Sequence, residues 1–225
     1  MSLFISFEGG DGSGKSTQAK ALHERLEQMG VESLLVREPG TTELGNHLRA
    51  WLIRERRETI SPTAEAFLFA AARSELVSRV IVPALKNPHI AVIVDRYVDS
   101  TTAYQGYGRG ISLSQLEVVN NLATQGLMPD LTILLDCPEE FGLKRTGYLN
   151  RQHESPKPTD ANRIDQEGDQ RFEKEPLEFH ENVRRGYLKT AEEQPDRWLV
   201  IDATQSVEDI NNLIWRHVKK LLSNI

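Results

Sequence analysis

The run Gly9-Gly10-Asp11-Gly12-Ser13-Gly14-Lys15-Ser16-Thr17 constrains this chain more than any other part of it. It fits the pattern G-x-x-x-x-G-K-[ST]; the strand-like run Leu3 to Phe7 precedes it, and Ala19, Leu22, Leu26 and Met29 follow at helical spacing. Strand, glycine-rich turn and helix in that order wrap backbone N–H groups and the positive end of a helix dipole around an anion. Lys15 is then placed to reach the β- and γ-phosphates of a nucleoside triphosphate, and the Ser16 hydroxyl to ligate Mg²⁺. The plainer reading, a glycine-rich turn with a solvated lysine, does not account for the flanking strand and helix. The motif alone does not name a reaction, because kinases, switches and mechanical ATPases all use it.

Four further strand-like runs follow: Ser33 to Val36, Ile90 to Val94, Leu131 to Leu135 and Trp198 to Ile201. Helical segments separate them, which predicts an α/β fold with a five-stranded parallel sheet covered by helices on both faces. At about 150 residues per domain, 225 residues suit one large domain or one domain with an inserted flap. Val207, Ile210, Leu213, Ile214, Val218, Leu221 and Leu222 predict a C-terminal helix capped by Ser206. Ser114 to Glu117 resembles a capping box, with Ser112 an equally good start for that helix. Thr146 to Gly168 has two prolines, few apolar residues and several charges, so it reads as a functional lid or a disordered excursion. Helical period resumes with Phe172, Phe179, Val183, Tyr187 and Ala191, and Pro176 marks a break or a new first turn.

The 33 acidic side chains outnumber 27 Lys and Arg, giving a net charge of −6, which argues against a general binder of nucleic-acid polymers. The longest apolar runs are far too short to cross a bilayer, and Met1 to Glu8 has no basic leader pattern, so a cytoplasmic, non-membrane protein is expected. The single cysteine, Cys137, permits no internal disulfide.

A second set of polar residues falls where ligands of an open α/β sheet collect. Asp95 follows the third strand, where a carboxylate can hold Mg²⁺, and Arg96 beside it can grip phosphate. An Asp–Arg ion pair closing the strand is the structural alternative. Ser100 to Gly110 is dense in hydroxyls, an amide, aromatic rings and flexible backbone that suit a base and a sugar. Phe69 and Arg73 share one face of a helical segment, so a ring could stack a base while a guanidinium one turn away bonds its edge; read alone, Phe69 suits the core better. Lys15, Arg37, Arg73, Arg96 and Arg109 together would focus positive potential in a chain of net negative charge.

Taken in order, several segments give the chain a resemblance to the thymidylate kinase family. They are the phosphate loop with Asp11, Arg37-Glu38-Pro39-Gly40, Leu68 to Arg73, Asp95-Arg96-Tyr97 running into Ser100 to Gly110, Leu135 to Glu139 with Gly142 to Arg145, Arg163 to Glu167, and Ile201-Asp202-Ala203. Each piece is weak by itself, but their joint order spans nearly the whole chain. The resemblance implies phosphoryl transfer from ATP to dTMP with Mg²⁺, a P-loop kinase fold and a homodimer. By the same resemblance Asp11 lies near the sugar 3′-hydroxyl and the monophosphate, Phe69 stacks the base, Arg73 donates to thymine O4, and Arg96 bridges acceptor and donor phosphates. Ser100, Thr101 and Gln105 fall near base and sugar, Tyr104 against C2′, Glu38 and Pro39 form a wall, and Arg145 lies against adenine with Ala203 nearby. Family members without a second basic residue in the phosphate loop bring a catalytic arginine from the lid. Here the lid departs from the family pattern: Asn162-Arg163-Ile164-Asp165 replaces the usual Asp-Arg-[Ile/Phe]-Glu, the stretch before it is longer, and proline stands at the counted arginine position. Arg151 is the first candidate, with Lys157 and Arg163 behind it. The rival readings are a kinase for another nucleotide or a deoxynucleoside, a GTP-dependent switch, which lacks any Asn-Lys-x-Asp segment here, and a non-catalytic nucleotide-binding module.

Overall fold

The computed structural model describes residues 2–53, 60–147 and 171–222. Five strands, β1 (Leu3–Glu8), β2 (Glu32–Arg37), β3 (Ile90–Asp95), β4 (Leu131–Asp136) and β5 (Trp198–Asp202), form one sheet in the order β2-β3-β1-β4-β5. All four neighbouring pairs are parallel. The helices are α1 (Lys15–Gln28), α2 (Glu43–Leu52), α3 (Pro62–Leu76), α4 (Val82–Leu85), α5 (Val98–Thr101), α6 (Leu113–Thr124), α7 (Glu139–Arg145), α8 (Leu177–Glu193) and α9 (Val207–Leu222). The expected fold class is therefore the observed one. Each expected strand runs one residue further, and β2 also starts one residue earlier, because polar Glu8, Arg37, Asp95, Asp136 and Asp202 keep the ladder at its ends.

Alternation along the central strands sorts their side chains between two faces. Leu3, Ile5 and Phe7 join Ala91, Ile93, Leu131, Ile133 and Leu135 against Leu22 and Leu26 of α1 and Ile210 and Ile214 of α9. Phe4, Val92 and Val94 face the other way, against Leu76, Val77 and Ile81. Beyond them, Leu134 and Trp198 pack under Phe179, Val183 and Tyr187 of α8. Two consequences for the strand ends follow from this parity. Asp95 shares its face with Ile93 and so emerges beside α1, whereas Glu8 shares its face with Phe4 and Ser6 and so points toward α8.

The structure bears out Ser112 and Pro176 as helix starts, and it corrects the capping box, the flexible run and the helical place of Phe172. The helix near Ser114 begins at Leu113 with Ser112 at its N-cap, and the two hydroxyls bond each other at 2.9 Å, so no capping box forms. Ser100 to Gly110 is mostly helical rather than flexible: α5 continues into a π-helical turn, Thr102–Gly108. A Cβ on Gly106 would lie 2.6 Å from Leu113, and one on Gly108 2.6 Å from Phe179, so these glycines allow close packing of helices rather than a loose loop. Phe172 lies in turns ahead of α8, whose N-cap is Pro176.

The C-terminal helix is capped as expected: the Asp209 N–H donates to Ser206 Oγ at 3.1 Å, and that hydroxyl donates to Asp209 Oδ2 at 2.6 Å. Ser206→Ala should cost about 1 kcal/mol. Thermal unfolding should show a fall in Tm of about 2–4 °C; an unchanged Tm would mean that α9 is held by its apolar face alone.

Candidate active site

The phosphate loop is shaped by what it touches from behind. Gly9 (φ 141°) and Gly12 (φ 74°) occupy backbone conformations that L side chains rarely adopt. A Cβ on either would come closer than 3 Å to a carbonyl, Leu135 O for Gly9 and Gly142 O for Gly12. The loop is therefore pressed against the end of β4 and the first turns of α7. Lys15 opens α1 and is only 6% exposed; its Nζ donates to Gly10 O at 2.7 Å and Ser13 Oγ at 3.3 Å. Burial, with Arg96 nearby, lowers its pKa to about 8.

On the α1 side of the loop, Ser16 Oγ donates to Asp95 Oδ2. A hydroxyl and a carboxylate brought together are hard oxygen donors of the kind Mg²⁺ takes when substrate phosphates complete its shell. Among the described residues no group of three or more His, Cys, Asp or Glu could hold a metal by itself. On the α7 side, Arg145 Nη1 donates to Ala203 O at 3.3 Å, with its guanidinium 5.4 Å from the Phe141 ring centre.

A cavity of about 250 Å³ opens beside the loop. It is lined by Asp11, Arg96 and Ser100, which hydrogen-bond to the phosphate loop or to each other, and by Glu38, Pro39, Phe69, Arg73, Thr101, Tyr104 and Gln105. All ten residues expected for the second nucleotide thus line one space. Thr101, Tyr104 and Gln105 reach it together from α5 and the π-helical turn, and helix α3 brings Phe69 and Arg73.

Arg96 is the best-held group in the site. It leaves β3 in a left-handed backbone conformation (φ 71°), which costs a residue with a side chain about 1–2 kcal/mol. Its Nη2 donates to Asp11 Oδ1 at 2.6 Å and to Tyr104 Oη at 3.1 Å; its Nη1 donates to Gly9 O at 3.2 Å and to Ser100 Oγ and Tyr187 Oη, both at 3.3 Å. Burial opposes its charge, but Tyr104, Asp11, Tyr187 and Asp95 outweigh burial and raise its pKa. Burial likewise pushes the Asp11 carboxyl up, yet Arg96 and Lys15 hold it below the usual carboxylate range.

Arg73 is buried and held by several partners. It pairs with Glu38 at 2.5 Å, donates to Asn120 Oδ1 at 2.7 Å and donates to Thr101 Oγ1 at 2.8 Å. Phe69 is half-buried, with its ring 6.2 Å from that of Phe172. It therefore borders both core and cavity, which joins the two alternatives posed by its sequence position.

Arg109 and Arg37, expected in the same field, do not line this cavity. Arg109 is held by Glu65 and Glu175, and Arg37 lies in a separate cleft with Ser16 and Asp95. Arg151, Lys157 and Arg163, with the lid from residue 148 onward, lie outside the described residues. Among the described residues no helix is long and apolar enough to cross a membrane.

Four cavity-lining residues were not anticipated: Arg49, Ile53, Phe172 and Glu173. Their sequence neighbourhoods carry no motif, and Phe172 was assigned to a helix face because its spacing fits one. Glu8 was also missed, although a carboxylate at the end of the central strand just before the phosphate loop is a recognisable signal. It accepts from Tyr97 N at 2.8 Å, Ser100 Oγ at 2.6 Å and the Tyr187 hydroxyl at 3.1 Å. Burial, together with Asp99, raises its pKa to about 8.

Compared with known proteins, residues 7–214 match the family model described as "Thymidylate kinase". A thymidylate kinase of Desulfovibrio desulfuricans is 47% identical over 208 residues, covering 92% of this chain and 91% of that protein. One from Dehalococcoides mccartyi is 46% identical over 222 residues, covering 99% and 98%. The crystal structure of thymidylate kinase from Ehrlichia chaffeensis matches with a TM-score of 0.72 at 31% identity, covering 96% of this chain and 98% of that one.

A raised carboxyl pKa favours the fold most below pH 4.5, and that contribution is lost as pH rises toward about 8. The Tm difference between Glu8→Gln and the wild type should therefore move in favour of the variant between pH 5 and pH 9. A difference independent of pH would show that Glu8 does not titrate in that window.

Proposed function

The chain belongs to the thymidylate kinase family, and on that premise we propose that its cavity takes dTMP and its phosphate loop ATP, the reaction being ATP + dTMP → ADP + dTDP. The observation that carries this reading is one cavity lined both by Asp11 and Arg96, which meet at the phosphate loop, and by Phe69, Arg73 and Gln105. A nucleoside monophosphate laid along it directs its phosphate toward Lys15 and its base toward the Phe69 ring. The chain is thus an ATP-dependent nucleoside monophosphate kinase.

Phosphoryl transfer asks for alignment and charge neutralisation more than for covalent chemistry. A phosphate oxygen of dTMP attacks the γ-phosphorus as the bond to the β,γ-bridging oxygen breaks, and ADP leaves. The acceptor oxygen is already anionic at neutral pH, so no general base is required, and Asp11 acts by holding Arg96. Arg96 touches both phosphate positions and Lys15 the donor side, so both stabilise charge in the transition state. Ser16 and Asp95 would hold Mg²⁺ at the donor phosphates, and the chemistry it would supply there is charge neutralisation. Arg145 and Ala203 border the adenine position. Residues 146–168 belong to the same reading as a lid on one α/β domain, with Arg151 as the first candidate for its catalytic arginine. A cytoplasmic location also belongs to it, since it accords with soluble nucleotide substrates.

The proposal includes a homodimer. Its support is three exposed apolar side chains, Phe67 of α3 (57% exposed) and Val118 and Leu122 of α6 (69% and 81% exposed), on two helices that pack together. Leu122→Glu should convert a dimer to a monomer in light-scattering chromatography; a wild-type chain that elutes as a monomer would remove this part.

Turnover should be measured side by side with dTMP, dUMP, dGMP, dCMP and thymidine. Preference for dTMP is expected, and its absence sinks the assignment. Lys15→Ala should abolish turnover with the fold intact, and Phe69→Ala should raise the KM for dTMP far more than that for ATP. Equal effects of Phe69→Ala on both substrates would make that ring a core residue only.

A further inference from the structure

Helix α3 carries a third residue on the stripe that holds Phe69 and Arg73. Glu65, four positions before Phe69, is fully buried in the first turn of the helix. Gln105 Nε2 donates to its Oε1 at 2.8 Å. Arg109 Nε donates to the same oxygen at 3.2 Å, and Arg171 Nη2 pairs with Oε2. Between two guanidinium groups Glu65 stands as a carboxylate, which only accepts hydrogen bonds. The end of the Gln105 amide that faces it must be the NH₂, and the amide oxygen is the end left for the cavity that Gln105 lines.

Orientation of this amide matters because Arg73 lines the same cavity and donates to Thr101, one helical turn before Gln105. Arg73, also lining the cavity, is donor-only. A donor and an acceptor in one cavity complement the imide edge of a pyrimidine, where O4 accepts and N3–H donates. A 4-aminopyrimidine presents the reverse, an amino donor and an N3 acceptor. To read that edge Gln105 would have to turn its oxygen onto the Glu65 carboxylate, setting two acceptors face to face in a buried space.

We infer that Glu65 is a positioning residue that fixes the Gln105 amide, and that it thereby makes the cavity select 4-oxo over 4-amino pyrimidine nucleotides. The inference rests on the reading of the cavity as the dTMP site. Gln at position 65 could offer either end of its own amide, so Gln105 would be free to turn.

The test compares dTMP with 5-methyl-dCMP, which keeps the 5-methyl group and differs only in the hydrogen-bonding edge. In Glu65→Gln the kcat/KM ratio of dTMP to 5-methyl-dCMP should fall about tenfold or more relative to wild type, the scale of one lost charge-assisted bond. The KM for ATP should stay within about twofold. In a Gln105→Ala background Glu65→Gln should change the ratio no further; a further fall there would show that Glu65 acts only as scaffolding and overturn the inference. Thermal unfolding reports whether Glu65→Gln folds. If it does not, Glu65→Asp decides, since a retained carboxylate should preserve the ratio even where total activity drops, and a collapsed ratio refutes the role. No turnover of dTMP by the wild type overturns the cavity reading instead, whereas a wild type selective for dTMP whose ratio is untouched by Glu65→Gln overturns only the role of Glu65.

Discussion

The site depends on the placement of one guanidinium. Arg96 sits at the exit of β3 in a conformation that its side chain makes unfavourable, and bonds from five groups hold it there. Those groups come from the phosphate loop (Gly9 and Asp11), from the helical turns after β3 (Ser100 and Tyr104) and from α8 (Tyr187). The first two reach Arg96 because parallel strands bring their carboxyl ends to one edge of the sheet, and α8 reaches it by packing over the sheet face. Sheet topology and the proposed phosphate site are therefore linked through a single residue.

Buried charge surrounds this arginine and is matched nearly everywhere. Asp11 faces Arg96, Glu38 faces Arg73, and Glu65 faces Arg109 and Arg171. Breaking such a pair leaves an uncompensated buried charge, which is more damaging than the pair is stabilising. The carboxylates thus do more for geometry than for stability: they fix which donors point into the cavity and which are already engaged. Glu8 differs from them. With Asp99 near it and its hydrogen bonds coming from neutral donors, it is held toward its protonated form and ties Tyr97, Ser100 and Tyr187 together without adding charge at the phosphate end.

Close approach of backbones is the second organising constraint. The phosphate loop lies against Gly142 on one side and the end of β4 on the other, and the π-helical turn lies against α6 and α8 through Gly106 and Gly108. A wider turn of this kind is common at functional sites, because it re-aims side chains without breaking the helix. Here it accompanies Thr101, Tyr104 and Gln105 reaching the same cavity.

The parallel sheet, the phosphate loop with Lys15 and Ser16, and the C-terminal helix with its Ser206 cap are all legible in the chain. They rest on local rules: hydrophobic period, glycine at turns, and side chains bonding their own backbone. The ten residues assigned to the second nucleotide came from the order of short motifs, and each lines the cavity. What local rules could not reach was any relation between distant segments. Nothing near Phe172 or Arg49 in the sequence marks them as cavity walls, since their positions depend on how α8 and α2 dock. Arg109 looked like part of the phosphate field but is claimed by Glu65, a residue 44 positions away. The sequence alone determined the fold class, the glycine-rich loop and the side chains available for chemistry, because those follow from residue type and spacing. Only the tertiary structure decided which charges meet, because a buried carboxylate's partner is set by packing across the sheet and not by distance along the chain.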